Sequence, residues 1–135
     1  MLFRDRVRSA QEAKDSMVCV GLDSGRDRIP PVVFREFGGD VVRAVFHFNK
    51  KIVDATVAYA FAYKPNFAFY EAYGPEGLEA MRLTFAYIAK HRDTLGILDA
   101  KRGDIFATAE AYASAVFEQW NADAVTLNPL MGYDA

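Results

Sequence analysis

Four short apolar runs, separated by longer amphipathic segments, constrain the fold of this 135-residue chain more than any other feature. The runs are apolar throughout rather than alternating, which indicates strands that are buried on both faces. Such strands belong to parallel sheets covered by helices. The predicted strands lie at about 17–22 (MVCVGL), 60–64 (AFAYK), 95–99 (LGILD) and 124–128 (AVTLN).

The segments between these strands carry the spacing of amphipathic helices. A helix is predicted at 41–59, another begins at Pro75, and a third covers about 107–120, while an amino-terminal helix at about 2–14 precedes the first strand. Helices between successive parallel strands imply right-handed crossovers and a repeating βα fold. The apolar stripe of the first of these helices comprises Val42, Val45, Phe46, Ile52, Val53 and Thr56.

Polar residues stand at the carboxyl end of every predicted strand. Asp23 follows the first, and Lys64, Asp99 and Asn128 end the second, third and fourth. In (β/α) barrels these ends form the active-site face, and an open doubly wound sheet binds its ligand at the same ends, so both architectures stay open on this criterion. No Gly-x-Gly-x-x-Gly or Walker-type loop follows the first strand, which disfavours a bound nucleotide cofactor.

The segment LDAKRGDI at 98–105 concentrates charge at one of these strand ends. Asp99 and Lys101 are two residues apart, so on an extended backbone both side chains project from the same face. Gly103 is predicted to permit a tight turn that returns Asp104 to the same region. A lysine held between two carboxylates stays protonated and suits a proton donor. An ordinary salt-bridged cluster is the alternative interpretation of this spacing.

Composition narrows the class of partner. With 52% hydrophobic and 25% charged residues, the chain can form one globular core. Its net charge is −2 and it has no cluster of basic residues, so the composition gives no support for binding to nucleic acid or to an anionic membrane. Small molecules are the expected partners. No apolar stretch approaches the roughly 20 residues of a membrane span, and the charged amino end does not resemble a signal peptide, so a cytoplasmic protein is expected.

The metal-ligating residue types are sparse. Cys19 is the single cysteine and is predicted to be a buried, reduced thiol inside the first strand. His47 and His91 are predicted to lie in helices and to serve packing or surface roles. No zinc ligand set is visible in the sequence.

Five stretches of the sequence carry a family resemblance. The chain resembles orotidine 5′-phosphate decarboxylases in their longer bacterial form. The D-x-K-x-x-D core is shared with hexulose-phosphate synthases and related phosphosugar decarboxylases, but those enzymes commonly carry an acidic residue where Lys64 stands. Lys64 therefore favours the orotidylate enzymes. The matching stretches are VGLD at 20–23, NKKIVDAT at 49–56, AYKPNFAFYEAYG at 62–74, LDAKRGDI at 98–105 with Thr108, and TLNPLMGYD at 126–134.

The resemblance implies a TIM (β/α)8 barrel of which residues 1–135 form the amino-terminal half, a half-barrel of four βα units. It implies conversion of orotidine 5′-phosphate to UMP and CO2 in pyrimidine biosynthesis. Lys101 would protonate C6 of the pyrimidine, and Asp99 would lie beside the substrate carboxylate. Asp23 and Lys64 would reach the ribose hydroxyls. Lys64, Asp99, Lys101 and Asp104 would form an alternating charged chain.

The resemblance also implies a homodimer with a shared active site, in which Asp104, Ile105 and Thr108 complete the site of the neighbouring subunit. No metal or organic cofactor is implied. Three plainer roles stay open: Asp23 as a cap of the following helix or turn, Lys64 as a solvated strand end, and Asn128, before a proline, as a turn former rather than a substrate ligand.

The length of the chain limits these expectations. A complete barrel takes about 250 residues, whereas this sequence stops after the fourth predicted strand. An isolated half-barrel exposes sheet edges and apolar surface, so it is expected to be inactive alone and to pair, aggregate or partly unfold. A non-catalytic, self-associating half-barrel and a keto-gulonate-phosphate or hexulose-phosphate decarboxylase or lyase are the alternative functions.

Overall fold

A computed structural model describes residues 2–132, and these form one parallel sheet of four strands with flanking helices. The last residues of the TLNPLMGYD stretch, 133–134, lie outside the described range. The strands are β1 (Val18–Leu22), β2 (Ala60–Pro65), β3 (Leu95–Arg102) and β4 (Ala124–Leu127). The helices are α1 (Phe3–Lys14), α2 (Pro31–Glu36), α3 (Val41–Thr56), α4 (Phe67–Glu71), α5 (Pro75–Ile88) and α6 (Phe106–Ser114), the last continuing as a π-helical segment, Ala115–Gln119.

The strands follow one another in the sheet in the order β1-β2-β3-β4, and every neighbouring pair is parallel. The predicted parallel βα repeat is therefore confirmed. A doubly wound sheet reverses its strand order at a switch point, and none lies within these four strands. Sequential order is the arrangement of one half of a (β/α)8 barrel.

One face of the sheet, which we call the outer face, is covered by α3 and α5. It carries Tyr63 of β2 and Leu98 of β3, both at most 1% exposed. Val45 and Phe85 from the two helices belong to the core on this side. The two larger apolar clusters of the described residues lie here, which makes the outer face the main source of stability.

The opposite, inner face carries Ala62 and Lys64 of β2 and Asp99 of β3, because side chains alternate along a strand. Helix α1 covers only part of the inner face, and there Ala10 of α1 packs against Ala62 of β2 and Leu95 of β3. Cys19 of β1 points to this face and is exposed. The prediction of a buried thiol is therefore wrong, because β1 is an edge strand whose inner face has no covering element there.

Several element bounds differ from the predictions. Helices α2 and α4 were not predicted, since six and five residues are too short to show a helical period. Strand β3 continues past Asp99 to Arg102, with a register shift between Leu98 and Arg102. The predicted helix at 107–120 changes from α to π geometry at Ala115. His91 lies in the turn after α5, where its ring packs edge-on against Tyr87, so its packing role is confirmed and its helical placement is wrong.

The β4 side of the sheet is incompletely covered. An open groove of about 360 Å³ lies between α6 and the β3–β4 pair, lined by Val116, Val125 and Leu127 among others. Phe117 and Leu127 are 48% and 53% exposed. This agrees with the expected exposure of apolar surface at the edge of a half-barrel. No helix within residues 2–132 is long and apolar enough to span a bilayer.

Candidate active site

Asp99 is the centre of a charged cluster on the inner face. Its carboxylate accepts hydrogen bonds from Lys64 Nζ at 2.8 Å, Lys101 Nζ at 2.6 Å and Thr126 Oγ1 at 2.9 Å. Asp99 is 8% exposed, so this carboxylate is buried but fully paired. Three strands thus contribute to one site, and the predicted convergence of Lys64, Asp99 and Lys101 is observed.

The sheet register brings these side chains together. Asp99 of β3 pairs with Asn66, which directly follows β2. Lys64 stands two residues before Asn66, so its side chain points to the same inner face and lies next to Asp99. Lys64 is only one residue from the end of β2, so its long side chain reaches the carboxyl edge of the sheet.

Lys101 has a strained backbone. Its φ is 49°, in the left-handed region that a residue with a Cβ adopts at a cost of roughly 1–2 kcal/mol. The backbone N–H of Lys101 donates to Thr126 Oγ1 at 3.0 Å, and this bond helps to hold the conformation. Strain of this kind persists where surrounding contacts fix it, and it is concentrated at functional sites.

Gly103 acts differently from the prediction. It is absent from the residues with positive φ, and the left-handed residue of this segment is Lys101. A Cβ at Gly103 would lie 3.1 Å from a side-chain carbon of Met131, so the glycine permits close approach of the β4 loop.

Electrostatics keep Asp99 ionised. Burial raises the pKa of Asp99, but the hydrogen bonds from Lys101, Lys64 and Thr126 together outweigh burial and hold its pKa well below the ordinary value. The cluster therefore has one carboxylate and two ammonium groups. The Lys64 side chain is 34% exposed and the Lys101 side chain 68%, so Lys101 is the more accessible to a ligand.

Asp104 does not join this cluster. Its Oδ1 accepts a hydrogen bond from the backbone N–H of Ile105 at 2.8 Å, and among residues 2–132 no lysine is recorded as its partner. Within one chain the described cluster therefore ends at Lys101, and the place of Asp104 in an alternating chain of charges stays a prediction. Ile105 is 50% exposed, and Thr108 lies exposed in the first turn of α6. Their predicted contribution to a second subunit stays a prediction.

Asp23 lies in the loop after β1 and is partly buried. Its Oδ2 accepts a long hydrogen bond of 3.4 Å from Arg28, while Oδ1 is buried and has no hydrogen-bond partner among the described residues. The next helix begins at Pro31 without a side-chain cap, so Asp23 is not a helix cap. A buried carboxylate oxygen with a free lone pair suits a ligand hydroxyl.

Asn128 has a turn-forming contact. Its Oδ1 accepts from the backbone N–H of Leu130 at 3.0 Å, as expected for an Asx turn, and the residue is exposed. Its backbone N–H donates to the carbonyl of Arg102 at 2.7 Å. These contacts favour the turn-forming interpretation, and a substrate contact stays a prediction.

Thr126 is a site residue that the sequence reasoning missed. It links the backbone of Lys101 to the Asp99 carboxylate across the β3–β4 pair. The signal was available, because Thr126 stands two residues before Asn128 and therefore faces the same side of β4.

Parallel strands in sequential order, two of which present paired charges and a third a threonine at their carboxyl ends, define an α/β protein of the TIM-barrel class. The family model described as "Orotidine 5′-phosphate decarboxylase / HUMPS family" matches residues 16–135. The chain belongs to this family.

Individual relatives agree with this assignment. The orotidine 5′-phosphate decarboxylase of Herpetosiphon aurantiacus is 45% identical over 134 residues, covering 99% of this chain and 48% of the relative. That of Clostridium kluyveri is 48% identical over 122 residues, covering 90% and 41%. Among solved structures, the OMP decarboxylase of Leishmania donovani has a TM-score of 0.78 and 35% identity, covering 99% of this chain and 47% of that one. The chain thus spans about half the length of these relatives.

Proposed function

We propose that residues 1–135 are the amino-terminal half of one (β/α)8 barrel domain of an orotidine 5′-phosphate decarboxylase. The observation that carries the proposal is the Lys64–Asp99–Lys101 cluster, in which one buried carboxylate holds two ammonium groups at the carboxyl edge of the sheet. The family match and the relatives' names supply the substrate, orotidine 5′-phosphate, and the reaction, a decarboxylation. Loss of CO2 from this substrate gives UMP.

The chemistry requires such a cluster. When the bond between C6 and the carboxylate carbon breaks, the electron pair stays on C6 and CO2 departs. A fixed positive charge next to C6 stabilises that pair, and Lys101 supplies it. An N–H proton of Lys101 then moves to C6, which gives UMP and leaves a neutral amine that solvent reprotonates.

Asp99 has two roles in this proposal. It fixes the ammonium group of Lys101 through the 2.6 Å contact, so that the donor is oriented before the substrate binds. It also places a negative charge near the substrate carboxylate, and this repulsion is relieved as CO2 leaves. Because its pKa is held low, Asp99 stays ionised in the neutral pH range and serves both roles there.

The remaining candidate residues bind substrate in this proposal. Asp23, with its free Oδ1, and Lys64 contact ribose hydroxyls. Asp104, Ile105 and Thr108 complete the site of a second subunit in a homodimer, and Asn128 adds a polar group at the end of β4. The complete enzyme is a cytoplasmic homodimer that uses no metal or organic cofactor.

The experiment joins this chain to the part of the Herpetosiphon aurantiacus relative that follows the matched segment. We call the product the completed chain. Conversion of orotidine 5′-phosphate to UMP by the completed chain, with no conversion by the carboxyl-terminal part alone, is the expected result. Turnover of a hexulose phosphate or keto-gulonate phosphate instead, without tight binding of a 6-substituted uridylate, would overturn the substrate assignment.

A second candidate function is a non-catalytic half-barrel that associates with itself. The observation that favours it is the exposed apolar surface at β4, where Leu127 is 53% and Leu130 90% exposed. Light scattering on the chain alone tests it, and a folded monomer would contradict it. Association alone does not compete with the enzymatic proposal, since the same surface is expected to receive the next βα unit.

A further inference from the structure

A buried polar network lies behind the loop that carries Asp23. It consists of Ser24, Asn49, Tyr70 and Thr84, each at most 1% exposed, and we call it the Asn49 network. Its members come from the β1 loop, α3, α4 and α5, so it connects three helices to one strand end. None of the four is assigned a part in the chemistry proposed above.

The hydrogen atoms of this network have one consistent arrangement. Asn49 Nδ2 donates one hydrogen to Tyr70 Oη at 3.0 Å and the other to Thr84 Oγ1 at 2.9 Å. Thr84 Oγ1 donates onward to the carbonyl of Ala80 at 2.8 Å. Ser24 Oγ donates to Asn49 Oδ1. Every side-chain hydrogen is used in this arrangement, and Ser24 Oγ is a second, longer acceptor for Tyr70 Oη at 3.5 Å.

The network ends on the backbone on both sides of Asp23. Tyr70 Oη donates to the carbonyl of Leu22 at 2.9 Å, and Tyr73 Oη donates to the carbonyl of Ser24 at 3.0 Å. The side chain of Ser24 is held by Asn49 as described above. The residues before and after Asp23 are thus fixed, while the Asp23 carboxylate keeps one unpartnered oxygen.

We propose that Asn49 and Tyr70 are positioning residues that fix the Asp23 carboxylate for the sugar hydroxyls of the nucleotide. This inference rests on the proposed function. The network lies behind the loop, and none of its hydrogen bonds among residues 2–132 goes to a candidate substrate-binding side chain, so it acts through the backbone of residues 22–24. A carboxylate that is already fixed loses no conformational entropy when the ligand binds. Fixing Asp23 therefore strengthens binding of the substrate and of the transition state to the same extent.

The test compares two tyrosines, Tyr70 inside the Asn49 network and Tyr63 outside it. Tyr70 and Tyr63 are both 0% exposed, and the hydroxyl of each donates to a backbone carbonyl, that of Leu22 for Tyr70 and that of Val53 for Tyr63. Each substitution removes one such donor, but Tyr70→Phe also leaves a hydrogen of Asn49 Nδ2 without its acceptor, so Tyr70→Phe is expected to cost more stability. Urea unfolding of both variants therefore accompanies the kinetics, so that KM is compared between folded proteins. Only Tyr70→Phe disconnects the loop that bears Asp23.

In the completed chain, Tyr70→Phe is expected to raise KM for orotidine 5′-phosphate about fivefold or more and to change kcat less than about threefold. Tyr63→Phe is expected to leave both within about twofold. In an Asp23→Ala background, Tyr70→Phe is expected to have almost no further effect on KM, because the carboxylate through which it acts is absent. Ser24→Ala carries the same expectations if Tyr70→Phe does not fold.

Two results would overturn the positioning role while leaving the proposed function intact. One is equal KM values for the two tyrosine variants. The other is a rise in KM caused by Tyr70→Phe that is as large in the Asp23→Ala background as in the parent. An inactive completed chain with the parent sequence would overturn both. Amide hydrogen exchange at Gly25, whose N–H donates to the carbonyl of Asp23 at 2.9 Å, gives a second readout. Exchange is expected to accelerate in Tyr70→Phe but not in Tyr63→Phe, and equal rates would contradict the proposal.

Discussion

The two faces of the sheet differ in how completely this chain covers them. The outer face packs against α3 and α5, and its central side chains, such as Tyr63 and Leu98, are buried. The inner face has partial cover from α1 and leaves Cys19 and most of the Lys101 side chain exposed. Stability is thus provided by the outer face, whereas the charged site lies on the face that the described elements leave open.

The largest expected effect concerns activity and comes from the inner face. Lys101→Ala in the completed chain is expected to lower kcat about a thousandfold or more, because it removes both the stabilising charge and the proton donor. The steady-state rate of UMP formation checks it. Lys90→Ala, which alters an exposed lysine stacked on Tyr87 away from the site, is the control and is expected to keep parent activity. Turnover of Lys101→Ala within about tenfold of the parent would remove this lysine from the mechanism.

The second effect concerns stability and comes from the outer face. Leu98→Ala is expected to cost about 2–5 kcal/mol of unfolding free energy, because a fully buried leucine leaves a cavity. Cys19→Ala, on the exposed inner face of β1, is expected to cost less than about 0.5 kcal/mol. Urea unfolding of this chain measures both, at one fixed protein concentration for parent and variants because the half-barrel is expected to associate. Similar losses of unfolding free energy for the two variants would show that the two faces contribute equally to stability, against the difference drawn above.

The third effect is the pH dependence of the site itself. Because the pKa of Asp99 is lowered on folding, its ion pairs stabilise the protein at pH values above the ordinary carboxyl pKa of about 4. That stabilisation is lost as the pH falls toward the lower, folded-state pKa. The parent is expected to lose roughly 1–2 kcal/mol more than Asp99→Asn between pH 6 and pH 3. Parallel losses in denaturant titrations would contradict the ion pairing.

The sequence was sufficient to predict those parts of this picture that depend on regular patterns. Apolar runs and helical periods predicted the parallel sheet, the strand-end positions predicted that Lys64 and Asp99 converge, and the two-residue spacing predicted that Lys101 shares a face with Asp99. Asn49 shows where periodicity is insufficient. It stands within the buried stripe of α3, four residues from both Val45 and Val53, and its partners come from α4, α5 and the β1 loop. Only the tertiary structure identifies such partners.

Other failures have equally specific causes. A cysteine inside an apolar strand is predicted to be buried, as Cys19 was. Its actual exposure depends on which elements cover the inner face, and the local sequence does not determine that. The sequence gives no signal for the left-handed backbone of Lys101. Glycine is the residue expected to adopt such a backbone, so the pattern pointed to Gly103 instead. Within one chain Asp104 accepts from the backbone N–H of Ile105, and its predicted role in the site of a second subunit stays a prediction.

The smallest expected effect tests the inner face by chemical modification. Cys19 is exposed as a residue, but its thiol is partly shielded from solvent, and this desolvation raises the pKa of the thiol, while the charge of Lys64 partly offsets the rise. Its reaction with a thiol reagent is therefore expected to be slow at neutral pH and to accelerate as the pH rises. The thiol is nonetheless reachable in this chain. In the completed chain the remaining strands are expected to close the barrel over β1, because inward-facing side chains of a closed barrel pack against one another. Modification, followed by mass spectrometry, is expected to be at least about tenfold slower there. Equal rates in the two chains would mean that the added half does not cover the inner face, and the division between a stabilising outer face and a completed inner face would fail.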